Sequence, residues 1–266
     1  MTTSLIITTY NWPQALELSL KSILGQTKKP DEIIIADDGS TDDTKNLIEQ
    51  ISNGCDIKII HSWQEDNGFR AARSRNLAIS KSNCEYIICI DGDMILDKDF
   101  IQDHLKCKSK GFYIQGSRVL LSPRLTKEIL LKKEFKAPTL FSKEIKNNLN
   151  GIKNKFLSFF ICSKSSRNHK GVKSCNFSFY KDDFLKVNGF NENFTSWGRE
   201  DSEFIERLYN IGIKRKNLKF AGIQYHLYHN EGSSSSSNDS ILKNAIEKKL
   251  QWCENGINKH LEEKNG

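Results

Sequence analysis

Tyr86-Ile87-Ile88-Cys89-Ile90-Asp91-Gly92-Asp93 decides how the rest of the chain is to be read. Five consecutive apolar residues rich in β-branched side chains make a short strand covered on both faces, the kind found in parallel sheets sandwiched between helices. Two carboxylates follow it directly. Side chains two residues apart on an extended chain point to the same side, and Gly92 between them leaves room for close backbone approach. A hard divalent cation takes such oxygen ligands and can bridge them to phosphate oxygens. An Asp-x-Asp pair is also a common turn, so its place after a buried strand gives it weight.

Upstream, short apolar runs at 5–9, 32–36 and 57–60 alternate with helical segments, which predicts an α/β fold with a mostly parallel sheet flanked by helices. Pro13 suits a first helical turn, with Ala15, Leu16, Leu18, Leu20 and Ile23 as its apolar face and Gly25 closing it. A second helix runs to about Gln50, capped by Thr41 or Asp42, and a third covers about 70–81. Downstream the pattern weakens from 106 to about 172. There 111–121 returns to the sheet, and a Lys/Asn-rich stretch surrounds Phe156-Leu157-Ser158-Phe159-Phe160. Order resumes at 174–180 and 184–190, with a helix at 201–211 and a strand-like run at 218–224. A mobile Ser-rich loop is expected at 233–237 and an amphipathic terminal helix at 241–261.

The 266 residues are 37% hydrophobic and 27% charged, which excludes a disordered chain and suffices for a large core. The net charge of +7 is made mainly after residue 105; it suits an anionic partner or simply a solvated surface. Seven cysteines without a Cys-x-x-Cys pair indicate neither a zinc site nor a disulfide framework. No leader-like segment opens the chain and no window approaches the roughly 20 apolar residues of a membrane span, so a cytoplasmic location is the expectation.

Open α/β sheets bind ligands beyond the carboxyl ends of their strands, and this chain places acids there. The first strand ends in Thr8-Thr9-Tyr10-Asn11 without Gly-x-Gly-x-x-Gly or Gly-x-x-x-x-Gly-Lys, against dinucleotide oxidoreductases and P-loop enzymes. The second ends in Asp37-Asp38, whose carboxylate can accept an N–H from uracil or cap the next helix, while Tyr10 can stack on a base or join the core. The segment 66–76 opens a helix with three arginines, of which Arg70 and Arg73 share a face and Arg75 is turned away. In 189–201, Trp197 supplies an aromatic face for a sugar, and Glu200-Asp201 supply adjacent acids that either hold hydroxyls or sit at a helix N-terminus favoured by its dipole. Tyr225-His226-Leu227-Tyr228-His229 offers an imidazole ligand, with the choice between His226 and His229 open.

In order, the segments 4–11, 32–42, 66–76, 86–94 and 189–201, with His226, resemble the motif series of family-2 glycosyltransferases with the GT-A fold. Phe69-Arg70 and Trp197-Gly198-x-Glu200-Asp201 resemble chondroitin-polymerase-type and β-1,4-galactosyltransferase-type catalytic domains. The resemblance covers about 4–230, with 122–170 unmatched. It implies a single compact domain with a nucleotide-sugar half (1–115), an acceptor and catalytic half (116–232), and the tail 233–266. It implies that Thr8, Tyr10 and Asp38 cradle uracil and that Phe69 and Arg70 contact the uridine. Asp93 would be the principal ligand of Mn2+ or Mg2+, with His226 completing the shell and Asp91 supporting ribose or metal. Trp197 and Glu200 would hold sugar hydroxyls, and Asp201 would be the base of an inverting hexosyl transfer. The implied donor is a UDP-sugar. The acceptor would be a saccharide or lipid-linked glycan of bacterial surface polysaccharide or lipooligosaccharide synthesis, with no nucleic-acid partner expected. Arg199 stands where relatives often have Gly, so acceptor identity cannot be carried over.

Two other readings are open. A sugar-phosphate nucleotidyltransferase shares the sheet and acids but begins with a Gly-rich basic loop, which Tyr10-Asn11-Trp12-Pro13 replaces. A non-catalytic carbohydrate- or nucleic-acid-binding module would use the basic second half. The 156–160 cluster among lysines suits either peripheral contact with the inner face of the cell membrane or a small buried cluster.

Overall fold

The computed structural model describes residues 1–230, 232 and 235–262. The first half alternates as the apolar runs predict: β1 (Thr3–Thr9), α1 (Pro13–Leu24), β2 (Glu32–Asp37), α2 (Asp42–Ser52), β3 (Lys58–Trp63), α3 (Ala71–Lys81) and β4 (Tyr86–Asp91). Then come β5 (Met94–Leu96), α4 (Phe100–Cys107), β6 (Phe112–Gln115), β7 (Val119–Leu121), α5 (Pro123–Lys132), β8 (Ile145–Lys146), α6 (Lys155–Cys162) and β9 (Ser165–Ser166). The last third holds β10 (Asn176–Tyr180), α7 (Lys181–Lys186), α8 (Glu200–Asn210), β11 (Lys214–Asn217), β12 (Gln224–His226), α9 (Ser236–Glu247) and α10 (Asn258–Glu262).

The main sheet runs β3-β2-β1-β4-β10-β6-β11-β9, and a second, smaller sheet runs β5-β12-β7-β8. β1, β2, β3 and β4 are parallel, β10 enters antiparallel between β4 and β6, and β11 is again parallel to β6. Both faces of the parallel region are covered. Ile6, Ile34, Ile87 and Cys89 meet α3, α7 and α8, while Leu5, Ile7, Ile33, Ile35, Ile88 and Ile90 meet α1 and α4. Alternate residues of one strand thus enter different cores, which is why 86–90 is apolar without interruption.

Several expectations are corrected. The run 218–224 is mostly a connection between β11 and β12, and 111–121 divides between the two sheets. The terminal helix is two pieces. Lys249 adopts φ 49°, and Leu250 N–H reaches back to Ala245 O at 3.0 Å, closing α9 with a left-handed cap. The expected mobile Ser-rich loop falls partly outside the described residues, at Ser233 and Ser234, but Ser235 caps α9 and Ser236 and Ser237 begin it. Cys107 and Cys162, with Cα atoms 5.9 Å apart, form a disulfide that the spacing did not indicate. It joins the end of α4 to the end of α6.

After α9 the chain folds onto the turn following α7. Ile257 N–H donates to Asn188 O at 3.0 Å, and a Cβ placed on Gly256 would stand 2.0 Å from that same oxygen. Gly256→Ala is therefore expected to cost about 1–3 kcal/mol of stability, the usual range for overpacking, read as a lower midpoint in urea unfolding.

Candidate active site

β1, β2 and β4 end level with one another, Thr8 beside Asp91 and Thr9 beside Asp37, so the residues that follow them share one edge of the sheet. Over that edge lies a cavity of about 710 Å³. Thr8, Tyr10, Asp38, Phe69, Asp91, Asp93, Trp197, Glu200, Asp201 and His226 all line it; Arg70 does not. Space at Gly92 is tight. A Cβ on it would come within 3.1 Å of Thr9 Oγ1, and its N–H donates to Thr8 O at 2.7 Å.

Asp93 and His226 are far apart in the chain and meet because β12 pairs antiparallel with β5, setting His226 against Met94, while Leu227 N–H bonds to Asp93 O at 3.0 Å. The turn after β12 then folds His229 back. Asp93 Oδ2 lies 3.1 Å from His226 Nε2 and 3.0 Å from His229 Nε2, and the two imidazole nitrogens are 3.1 Å apart. Ligands held at right angles on an ion with bonds of about 2.1 Å stand about 3.0 Å apart, so the three atoms fit one face of an octahedral shell. Asp93 Oδ1 is buried with no hydrogen-bond partner, as a carboxylate awaiting a cation would be. Burial pushes the Asp93 carboxyl up, but hydrogen bonds from both histidines outweigh it and hold the group well below the usual carboxylate range. The His229 imidazole is raised to about 9, chiefly by its bond to Asp93. The His229 and Trp12 rings meet at a steep angle, their centroids 5.9 Å apart.

Asp91 has another partner. Arg75 donates from Nε to Thr8 Oγ1 (3.0 Å), from Nη1 to Glu200 Oε1 (3.0 Å) and from Nη2 to Asp91 Oδ1 (3.4 Å). Arg75 does point away from Arg70 and Arg73, and it is the arginine of the three that lines the cavity. Arg70 precedes α3, and its backbone N–H donates to Asp38 Oδ2 at 2.8 Å; Arg73 reaches Gln64 Oε1 at 2.6 Å. A signal was present in the sequence. Ala71, Arg75, Ala78 and Ile79 have the i, i+4, i+7, i+8 spacing of one helical stripe, and the three apolar members are buried in the core. Arg75 therefore sits with them, only 4% exposed.

Replacing Arg75 by Met would leave Glu200 and Asp91 beside the cavity without their cation. We expect a loss on the order of 3 kcal/mol in urea unfolding, with Arg75→Lys recovering part of it.

α8 begins at Glu200 after Gly198 and Arg199, both at positive φ (92° and 78°). The turn is clamped by Asn238 of α9, whose amide donates to Ser196 O at 2.9 Å and Gly198 O at 2.7 Å. Nothing in the local sequence pointed to Asn238. Arg199 lines the cavity and pairs with Asp239 at 2.7 Å, while Trp197 is 41% exposed on the same wall. Asp201 Oδ1 accepts from Ser202 N–H at 2.7 Å and Oδ2 from Ser174 N–H at 3.3 Å. Burial first, and then the charge of Glu200, raise the Asp201 carboxyl to about 7, with Arg75 opposing. Elsewhere on the cavity wall, Tyr10 is 52% exposed with its hydroxyl donating to Asp66 at 2.9 Å, and burial raises the Asp38 carboxyl.

Among known proteins, residues 4–186 match the model of glycosyl transferase family 2, and residues 162–230 match the N-terminal domain of galactosyltransferase. The chain is 26% identical to a chondroitin synthase of Escherichia coli over 93% of its own length and 38% of that protein. It is 29% identical to a hyaluronan synthase of Pasteurella multocida, covering 81% of this chain and 23% of that one. A validoxylamine A glucosyltransferase of Streptomyces hygroscopicus subsp. limoneus is 28% identical, over 79% of this chain and 48% of that one. The chain thus spans under half the length of each. A fragment of S. aureus TarS solved with UDP superposes with a TM-score of 0.63 at 17% identity, over 92% of this chain and 64% of that one. At that identity the likeness establishes a shared GT-A-type fold.

Proposed function

This chain belongs to glycosyl transferase family 2, and from that premise we propose that it moves a hexose-type sugar from a UDP-sugar to a hydroxyl of a saccharide or lipid-linked glycan, with inversion. One observation carries the reading. A single cavity holds a carboxylate raised to about 7, Asp201, and a separate cluster, Asp93, His226 and His229, with ligand atoms spaced for a divalent cation. The first suits proton removal near neutral pH and the second suits a diphosphate.

In this reading Asp93, His226 and His229 hold Mn2+ or Mg2+, with His229 in the place first given to Asp91. When bound, the cation would offset the negative charge that grows on the departing UDP. Thr8, Tyr10, Asp38 and Phe69 hold the nucleoside, and Arg70 acts there through its N–H on Asp38. Trp197 lays its ring against the sugar, as an aromatic face can pack on C–H surface. Glu200 has one oxygen on Arg75 and keeps the other for a sugar hydroxyl. Asp201 accepts the proton of the acceptor hydroxyl as that oxygen attacks the anomeric carbon from the side opposite UDP, so the configuration inverts. The half 1–115 supplies the nucleoside side and Asp93, and the half 116–232 supplies the acceptor side together with the two histidines. Solved complexes of the TarS fragment contain UDP and UDP-GlcNAc, which supports a uridine donor here.

The test is a screen of UDP-sugars by calorimetry and by UDP release, each with Mn2+, Mg2+ or EDTA. At least one donor is expected to bind in a cation-dependent way, with UDP binding lost in EDTA. NMR of the product should show an anomeric configuration opposite to the donor's. Retention of configuration, or equal UDP binding in EDTA, would count against the proposal.

A further inference from the structure

α6 is inverted relative to an ordinary surface helix. It turns Ser158 and Cys162 inward, against Cys107, Ile114, Leu218 and Ala221, and leaves its largest apolar side chains in solvent. Phe156 is 71% exposed, Phe159 72% and Phe160 49%, with Leu157 at 42%. The three rings touch, with centroids 4.7 Å (Phe156–Phe160) and 5.8 Å (Phe159–Phe160) apart, so they form one projecting patch. Contiguous exposed apolar surface of this kind marks a contact with a partner.

The surroundings say what the partner is. Residues 145–181, which contain α6, carry seven lysines and one arginine and no Asp or Glu. The segments packed beneath add further lysines, and the one acid of α4, Asp103, is buried. The end of α4 leads into Lys106, Lys108 and Lys110, and β11, on which α6 packs, contributes Lys214 and Lys216. Of these, Lys106, Lys110, Lys155, Lys164 and Lys214 are exposed. Lys153, one of the seven, is taken up by Asp97 and Asp99 and is not offered to a partner. Phenyl rings on a lysine-rich segment, whose nearby carboxylates Asp97 and Asp99 are already paired with Lys153, match a surface with anionic headgroups outside and hydrocarbon behind them. A duplex nucleic acid would satisfy the lysines and leave three phenyl rings in water; a single strand, whose bases stack on aromatic rings, is the competing occupant that RNA binding in the test would reveal.

We propose that α6 docks this protein on an anionic lipid bilayer, its phenyl rings entering the interface and the surrounding lysines meeting the headgroups. The inference rests on surface chemistry and not on the glycosyl-transfer reading. Sedimentation with vesicles of phosphatidylcholine alone, or with phosphatidylglycerol added, tests it. Binding is expected only to the phosphatidylglycerol vesicles and should weaken between about 0.1 and 0.5 M salt. The triple change Phe156→Ser, Phe159→Ser and Phe160→Ser should weaken it at least about tenfold. Lys155→Glu with Lys164→Glu, both on exposed positions, should also weaken it. Circular dichroism and UDP titration on each variant show that the fold is kept. The proposal is overturned by equal binding to both vesicle types, or by binding unchanged in either variant. It is also overturned if wild type binds RNA or self-associates through these phenyl rings and ignores vesicles.

Discussion

Asp201→Asn is expected to lower kcat by about 10²- to 10⁴-fold while leaving the dissociation constant for UDP in Mn2+ within about threefold, because general-base help is worth that much and the carboxylate does not face the cation cluster. The side chain keeps its shape and can still accept from Ser202 N–H, so the loss reports the missing base and not a collapsed turn. Wild-type turnover in this variant would remove Asp201 from the mechanism. The pH dependence has a definite sign. A base works only when unprotonated, so kcat/KM should rise with pH through about 7, where burial and Glu200 set this carboxyl. Stability should move the other way. The folded group binds its proton more tightly than the unfolded one, whose value is 3.8, so its contribution is present below about pH 4 and is lost as pH rises through about 7. Asn cannot ionise, so the variant should be more stable than wild type at pH 8, on the order of 2 kcal/mol, and equal to it near pH 4. That combination, more stable and inactive, is the mark of a site held under electrostatic strain.

Asp93→Ala is expected to abolish Mn2+-dependent UDP binding and to reduce kcat/KM by at least about 10³-fold, since a carboxylate ligand and the charge that holds the cation are lost together. His226 and His229 would face each other at 3.1 Å with no anion between them, so residual metal affinity should be small. Mn2+ titration followed by electron paramagnetic resonance reads the affinity directly. The same titration separates the roles of the two aspartates. Asp91 bonds to Arg75 and lies outside the cation cluster, so Asp91→Asn should keep most of the Mn2+ affinity. If Asp91→Asn proved as damaging to Mn2+ binding as Asp93→Ala, the cluster would have to be redrawn around both aspartates. His229→Ala should weaken Mn2+ about as much as His226→Ala if the three residues act as one shell.

What the chain alone determined is whatever local patterning fixes. The apolar runs at β1, β2, β3 and β4 and the helical stripes between them specified an α/β sheet. The acids after β1, β2 and β4 were bound to gather, because parallel strands end on one side. Thr8, Tyr10, Asp38, Asp91 and Asp93 were legible for that reason, and Trp197, Glu200 and Asp201 from their own run of an aromatic and two acids before a helix. Tertiary structure decided the rest, because each remaining choice depends on docking. The apolar stripe of α3 marked the buried face that carries Arg75, but the partners that face meets, Glu200 and Asp91, were set by docking. The pairing of β12 with β5 joined His226 to Asp93, and the backward turn after β12 added His229 and left Asp91 to Arg75. Asn238 of α9 holds the turn that aims Glu200 and Asp201, across a gap of some forty residues that no local pattern spans. A strand's end can be read from its own residues. The partner of a side chain at that end is set by whatever the rest of the chain packs against it.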